Sequence, residues 1–353
     1  MNLGLRELAT FLAEHKNDRS LVLAVVTATE GSTYRKPGGM MLIRKNGEFA
    51  GLISGGCLEG DLVEQASVVF KDGNPRAVCY DLSTDNQAIW GLGLGCGGTV
   101  HLLLLRLDQD RNFGFFPPML KALGRRSRCV LALAHRASAE IPAGAYALAS
   151  DKGQMTGDPL LYRSLEGRLE AWGSPHRYQY TSPSATDADE SILLIRIEPS
   201  PCVLVCGAGP DAVPVARQVD ALGWDCVVVD HRGAYARPER FPASAKVVQL
   251  QPGQMHERID LEAIDAAIVM SHNLEHDAAY LEQLSGLNLA YLGLLGPRAR
   301  REQLQAQLAI ENQLIHGPAG FDIGAELPES IALAVMAEIH AVLSSGVQDA
   351  GGD

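Results

Sequence analysis

The chain has 353 residues, 42 acidic against 30 basic, for a formal net charge of −12. At roughly 150 residues per domain this length implies two or three domains, and 46% hydrophobic with 20% charged residues excludes disorder. The negative field works against polyanion binding, so no nucleic-acid partner is expected.

Residues 5 to 15 carry the apolar spacing of an amphipathic helix. Glu7, Glu14 and Asp18 keep this acidic amino-terminal segment from reading as a signal peptide, and a cytoplasmic location is expected. Leu21 to Ala28 predicts a buried strand; it is also the longest apolar run, far below the roughly 20 residues of a membrane helix, so no membrane partner is expected. Met40 to Ile43 and Phe49 to Ile53 flank Asn46-Gly47, a hairpin signal. The SGGC loop, Ser54 to Cys57, then opens a helix whose apolar residues Leu58, Leu62, Val63 and Ala66 recur at helical spacing. A strand over Ala77 to Leu82, the loop GLGLGCGG (Gly91 to Gly98) and a strand over Val100 to Leu107 close a first α/β unit near residue 110.

Cys129 to Gly157 repeats the plan of Leu21 to Ile53: strand, Pro/Gly loop, strand, tight turn, strand. A helical candidate (Leu160 to Trp172), a short strand (Arg177 to Thr181) and an apolar strand (Ile192 to Ile197) follow in the first unit's order. An internal duplication is expected, with copy one over 1–110 and a degenerate copy two over 120–198. SGGCLEGD corresponds to TGDPLLYR, and GLGLGCGG to the polar SATDADE of a surface loop, 182–190. Copy two lacks both glycine-cysteine loops, so the fold does not require them, and a site is the more economical reason for Cys57 and Cys96.

Glu198, Pro199, Ser200 and Pro201 form a linker to a second domain, 199–353. There Cys202 to Cys206 predicts a strand, GAGPDA a turn and Val213 to Leu222 a helix; Asp225 to Val229 is a strand ending at Asp230. Further strands fall at 246–250, 266–270 and 289–292, and helices at 259–264, 276–284, 297–309 and, after HGPAGFDIG, 328–343. The fold class is therefore α/β: an amino-terminal α/β domain with a degenerate duplication, then a Rossmann-like, doubly wound parallel sheet.

Gly207 and Gly209 fit GxGxx(G/A) between strand and helix, a geometry that brings backbone to a pyrophosphate, and Asp230 is placed to accept from a ribose diol. Arg232 suits an additional phosphate or a solvated position. Cys57, behind Gly55 and Gly56 at a helix start, has unpaired amides and the helix dipole to attract an anion or activate a thiol; Glu59 favours the dipole but repels an anion. The alternative is a small cysteine filling space under the loop. Cys96, among Gly95, Gly97 and Gly98, sits where backbone can approach a flat ligand, or in a plain turn. Arg35 and Lys36 offer positive charge to a phosphate, or are solvated. His272 and His276 stand at helical i, i+4 spacing, but HNLEHD lacks the Glu of a zinc-protease motif, so no metal site is expected. Cys79, Cys129, Cys202, Cys206 and Cys226 lie in apolar strands as core.

GSTYRKPGGMML, GLISGGCLEGDLVEQA, IWGLGLGCGG, VLVCGAGP, VVVDHR, SHNLEHDAAYL, LGLLGPRARR and GPAGFDIGAELPESIALAVMAEI together resemble the XdhC/CoxI accessory proteins of molybdenum hydroxylases such as xanthine dehydrogenase. The resemblance implies a non-catalytic or weakly catalytic homodimer that binds the molybdenum cofactor, a molybdopterin. It implies that the protein protects the cofactor, supports its sulfuration with a cysteine desulfurase and delivers it to a molybdenum hydroxylase apoenzyme. The implied cofactor-binding set is Arg35, Ser54, Gly55, Gly56, Cys57, Gly95, Cys96, Gly97, Gly98, Gly207, Gly209, Asp230, Arg232, His272, Asp277 and Asp322. The family commonly has His where this chain has Pro210, and Thr-His-Asp-His where it has Ser271, His272, Asn273, Leu274. His272 and Asp277 fit the pattern.

Flexible glycine walls, thiols and helix-end amides suit a flat pterin with a phosphate and a dithiolene-bound metal, and Cys57 and Cys96 are expected to line a pocket between the domains. Asp230 would serve a dinucleotide form of the cofactor, since plain molybdopterin has no ribose. Two other functions are open to these residues: an NAD(P)-dependent oxidoreductase using the Rossmann half, for which no acid-base pair is evident, and a sulfurtransferase with a persulfide on Cys57.

Overall fold

The structure, a computed structural model, describes residues 4–82, 98–138, 140–165, 177–181, 191–310 and 313–345. The chain divides at a proline-rich junction into two compact units, Leu3–Pro199 and Ser200–Gly346.

The first unit contains two antiparallel five-stranded sheets of identical plan. Helix α1 (Leu5–Glu14) precedes β1 (Ser20–Glu30), β2 (Met40–Ile43), β3 (Phe49–Ala50), α2 (Glu59–Asp72), β4 (Arg76–Asp81) and β5 (Thr99–Asp108), ordered β3-β2-β1-β5-β4 in the sheet. After α3 (Phe116–Leu123) come β6 (Cys129–Ala134), β7 (Tyr146–Ser150), β8 (Met155–Gly157), α4 (Pro159–Leu165), β9 (Tyr178–Thr181) and β10 (Ile192–Ile197), ordered β8-β7-β6-β10-β9. The candidate helix over 160–172 is described only to Leu165, and SPSATDADE lies outside the described residues.

Why the central strands are apolar throughout follows from two-sided burial. Leu21, Leu23 and Val25 share one core with Cys129, Leu131, Leu133, Leu193 and Ile195, so the two sheets pack face to face. Val22, Ala24 and Val26 face the other way, onto Leu58, Leu62, Ala66 and Val69 around α2. Val130, Ala132 and Ala134 likewise meet Leu161 of α4 on the second sheet's outer face. Helix α3 has no counterpart among the sequence-based expectations; Pro117 and Pro118 in its first turn break the pattern, yet Phe116, Met119 and Ala122 bury into the shared core. Cys79 is exposed, not core: β4 is an edge strand, and alternation turns this thiol outward.

The second unit is a parallel sheet ordered β13-β12-β11-β14-β15, the 3-2-1-4-5 arrangement of a Rossmann fold. Its elements are β11 (Cys202–Cys206), α5 (Ala212–Ala221), β12 (Asp225–Asp230), β13 (Lys246–Gln249), β14 (Ala266–Val269), α6 (Leu274–Leu284), β15 (Tyr291–Leu294), α7 (Arg298–Leu308) and α8 (Pro328–Ser344). One face packs on α5 and α8 through Val215, Val219, Val335 and Ile339, the other on α6 and α7 through Leu281, Leu284 and Leu304. The helix expected over 259–264 is a single 3-10 turn, Leu261–Ala263, because six residues cannot repay helix nucleation while Ile259 and Ile264 anchor the segment from either end. Among the described residues no helix is long and apolar enough to cross a membrane.

The shared core makes a direct stability prediction. Leu131 is 0% exposed between the two sheets, so Leu131→Ala should cost about 2–5 kcal/mol. Urea unfolding should show both sheets melting together at a lower midpoint; separate transitions for the two sheets would contradict a common core.

Candidate functional site

The sequence-derived candidates fall at one end of the first sheet and at the carboxyl edge of the parallel sheet. At the first, the loops that follow β1 and β3 meet. Arg35 Nε donates to the Leu52 carbonyl at 3.1 Å, and Gly55 lies under the exposed ring of Tyr34. Gly98 packs against the carbonyls of Glu30 and Ser32, closely enough that a Cβ would lie 2.5 and 2.6 Å from them. Gly95, Cys96 and Gly97 lie outside the described residues.

The SGGC loop is folded around a carboxylate of its own. Glu59, 2% exposed, accepts from the amides of Ile53 (2.9 Å), Ser54 (2.8 Å), Gly56 (3.0 Å) and Leu58 (3.1 Å) and from the Ser54 hydroxyl (2.7 Å). Ser54 Oγ in turn accepts from the amides of Cys57 and Leu58. The amides that the sequence assigns to an incoming anion are therefore engaged from inside, and an anion would have to displace Glu59. What the loop presents instead is the partly exposed thiol of Cys57 on a fixed turn.

At the carboxyl edge of the parallel sheet, Gly207 is in the left-handed region (φ 117°), and a Cβ there would strike the Met270 carbonyl at 2.6 Å; glycine lets the ends of β11 and β14 converge. Asp230, 1% exposed, accepts from Ala208 N (2.7 Å) and from Arg232 N, Nε and Nη2 (2.8, 3.0 and 2.7 Å). Four donors fill its four lone-pair sites, so a ribose diol would have to displace Arg232. Arg232 pairs with Asp230 and lies over the Tyr235 ring at 4.1 Å, while its side chain remains 38% exposed. Burial raises the Asp230 carboxyl pKa, but these bonds outweigh it and leave the group below the usual aspartate range.

The glycine turn is also poorly furnished for pyrophosphate. The amides of Gly207, Ala208 and Ala212 are bonded within the protein, and Pro210 has none. Asp211, at the start of α5, adds negative charge where a phosphate would sit. Its carboxylate folds back over Gly209 and meets His272 Nε2 at 2.6 Å.

His272 does not share a helical face with His276. Asn273 caps α6 by accepting from His276 N, which places His272 before the helix in a left-handed conformation (φ 59°). The two imidazoles part company: His276 packs edge-on against His231 at 4.3 Å, while His272 pairs with Asp211. Asp277, 0% exposed, accepts from Ser271 and from Arg300 Nη2 at 2.6 Å.

Asp211, His272, Arg300 and Asp322 line one cleft of about 870 Å³, with Phe321, Ile323, Leu295 and Ile331 supplying apolar wall. Its loop is held by Glu338 of α8, which accepts from the Tyr291 hydroxyl and from Gly320 N at 2.7 Å each and pairs with His316 Nδ1 at 2.8 Å. Gly320 (φ 95°) passes so close to α8 that a Cβ would fall 2.8 Å from the Val335 amide. Gly207, Gly209, Asp230 and Arg232 belong to the turn beside this cleft, not to its lining. Asp211 and Arg300 were legible as residues in GAGPDA and LGPRARR, but only the crossover topology brings them together.

Glu59 yields a pH prediction. Burial raises its carboxyl pKa, but the Ser54 hydroxyl and the Ser54 and Ile53 amides lower it further, leaving it below the ordinary value. A depressed folded-state pKa gives stability that is present above the ordinary value and is lost as pH falls below about 4.5. Glu59→Gln, which turns an amino group toward amide donors, should cost about 1–3 kcal/mol at neutral pH and flatten the acid limb of the stability curve. An unchanged curve by thermal melting from pH 3 to 7 would contradict the assignment.

Comparisons with known proteins agree with this architecture. Residues 203–339 match the family described as the XdhC Rossmann domain, and residues 15–81 match the XdhC and CoxI family. A Bacillus subtilis (strain 168) protein described as a probable subunit of xanthine dehydrogenase is 31% identical over 92% of this chain and 93% of its own length. The “Molybdenum cofactor insertion chaperone PaoD” of Escherichia coli (strain K12) is 23% identical over 92% of this chain and 84% of its own. The crystal structure of a protein described as a xanthine dehydrogenase from Bacillus halodurans superposes with a TM-score of 0.82 at 26% identity, covering 99% of this chain and 98% of that one. Motifs, sheet order and full-length relatives thus converge, and the chain belongs to the XdhC/CoxI family.

Proposed function

We propose that this chain is an accessory protein that binds the molybdenum cofactor and delivers it to the apoenzyme of a molybdenum hydroxylase of the xanthine dehydrogenase type. The observation that carries the reading is the cleft beside Asp211 and His272, in a Rossmann unit whose own pyrophosphate turn is taken up by protein groups. Support also comes from the chaperone name of a relative aligned over 92% of the chain.

The residues fit such a group. The cleft's volume lies within the range of about 300–1,000 Å³ typical of small-molecule sites. Apolar side chains on one wall suit a flat ring, and Asp211, His272 and Arg300 supply polar groups to its lining. When bound, the cofactor supplies the molybdenum centre on which a client hydroxylase depends. The protein's part is to hold: Asp277 fixes Arg300, His272 fixes Asp211, and Glu338 fixes the loop bearing Phe321 and Asp322.

On this reading the chain protects the cofactor, supports its sulfuration by a cysteine desulfurase, and works as a homodimer. Saturation of Asp230 by Arg232 favours the form without an attached nucleotide over a dinucleotide form. The same saturation, with Asp211 at the turn, disfavours the NAD(P)-dependent alternative.

Purification from a molybdate-replete host should yield pterin and molybdenum in near-equal amounts with the chain, measured by oxidised-pterin fluorescence and elemental analysis. Protein that carries neither, even when purified anaerobically beside its client apoenzyme, would contradict the reading.

A further inference from the structure

We propose that the loop at the mouth of the cleft, with the first turns of α8, is the docking surface for the apoenzyme that receives the cofactor, and that it takes a protein face with an apolar centre and a rim of Lys and Arg. The proposal rests on the accessory reading only for the identity of the partner; the chemistry of the surface comes from its own residues.

Exposed apolar side chains are concentrated there. Phe321, Ile323, Leu327 and Leu333 are 48%, 52%, 68% and 54% exposed. Single exposed hydrophobic residues are ordinary on a protein surface, but four on one loop and the helix that follows it mark a place where another surface is buried. Hydrogen bonds brace this loop. Gly320 N donates to Glu338 at 2.7 Å, Phe321 N to the Ala334 carbonyl at 3.2 Å, and Ser330 Oγ accepts from the amides of Glu326 (3.2 Å) and Leu327 (3.1 Å). A braced loop has little left to order on binding, which lowers the cost of association.

Charge selects the partner. From Glu302 to Asp353 the sequence has eight acidic residues and no Lys or Arg, so this stretch carries −8 of the chain's −12. Asp322, Glu326 and Glu329 are exposed beside the apolar group, and none of them pairs with a cation among the described residues. A second copy docked on the same face by a two-fold axis would set these acids against their own counterparts, and an anionic lipid surface would be repelled in the same way. A passage that admits a phosphate-bearing cofactor needs cations at its entrance, so the apoenzyme offers the complementary charge. Position agrees with this. Phe321, Asp322 and Ile323 also line the cleft, so a partner seated on the patch meets its opening.

The test uses the full chain and the xanthine dehydrogenase apoenzyme of the same organism, prepared from a molybdate-starved host, with association and dissociation followed by surface plasmon resonance. Binding should weaken as salt rises from about 50 to about 500 mM, because the charges are exposed. Leu327→Asp should weaken it about tenfold or more, chiefly by faster dissociation, and Glu326→Lys combined with Glu329→Lys should slow association and flatten the salt dependence. Glu282→Lys, an exposed position on α6 across the parallel sheet, should leave binding unchanged, and all these variants should keep the melting temperature of the parent. Binding that ignores salt, or that keeps its full strength in both patch variants, would overturn the proposal, as would a parent chain that does not bind the apoenzyme. A dimer that Leu327→Asp splits into monomers by light scattering would overturn it in favour of a second copy. Glu326, Leu327 and Glu329 lie outside the cleft lining, so copurified pterin and molybdenum read the accessory role separately. Cofactor that copurifies while docking ignores the patch variants would remove this surface and leave the role standing. Docking that the patch variants abolish, in a chain that carries no cofactor, would support the surface and count against the role.

Discussion

A buried carboxylate needs donors, and in this protein that requirement shapes the SGGC and GAG turns. Glu59, Asp230 and Asp277 are 2%, 1% and 0% exposed, and an uncompensated charge at such depth would be prohibitive. Each therefore draws in the nearest amides and cations: the SGGC loop closes on Glu59, the GAG turn and Arg232 on Asp230, and Ser271 with Arg300 on Asp277. Glycine allows the backbone to reach Glu59 and Asp230, which orders those two turns without an external anion.

The consequence for function is a redistribution of binding capacity. Two places where backbone geometry alone promises an anion site, the start of α2 and the start of α5, are occupied by protein carboxylates. Space for a ligand lies instead in the cleft past the ends of β14 and β15, lined by Asp211, His272 and Arg300. That cleft still obeys the general rule for open α/β sheets, since it opens at the carboxyl ends of the strands. Rossmann topology is retained, with the turn after β11 bonded to Asp230 and Arg232.

Much of this was legible in the sequence, for reasons of periodicity. Two-sided burial writes itself as the uninterrupted runs LVLAVV and CVLALA, and crossover strands alternate with helices from Cys202 onward. The GxG spacing correctly marked the turn after β11. Hydrogen-bond direction, in contrast, is not written in spacing: nothing in SGGCLEG says that the amides face Glu59 and not a ligand. Nor is partnership across sequence, as between Asp211 and His272, which only the adjacency of β11 and β14 creates. His272 and His276 do not share a helix despite their i, i+4 spacing, because Asn273 caps the helix between them. The exposed thiol of Cys79 was missed because strand order is not written in local sequence, and nothing in RAVCYD says that this strand takes the edge of its sheet.

The central claim is that the acids of the Rossmann turn are closed to a dinucleotide by the protein's own donors. Calorimetric titration of the full chain with NAD(H) and NADP(H) tests it most directly. The account predicts no saturable heat up to millimolar concentrations of either. Stoichiometric micromolar binding that disappears in Asp230→Asn would show that Arg232 yields to a ribose and would contradict it.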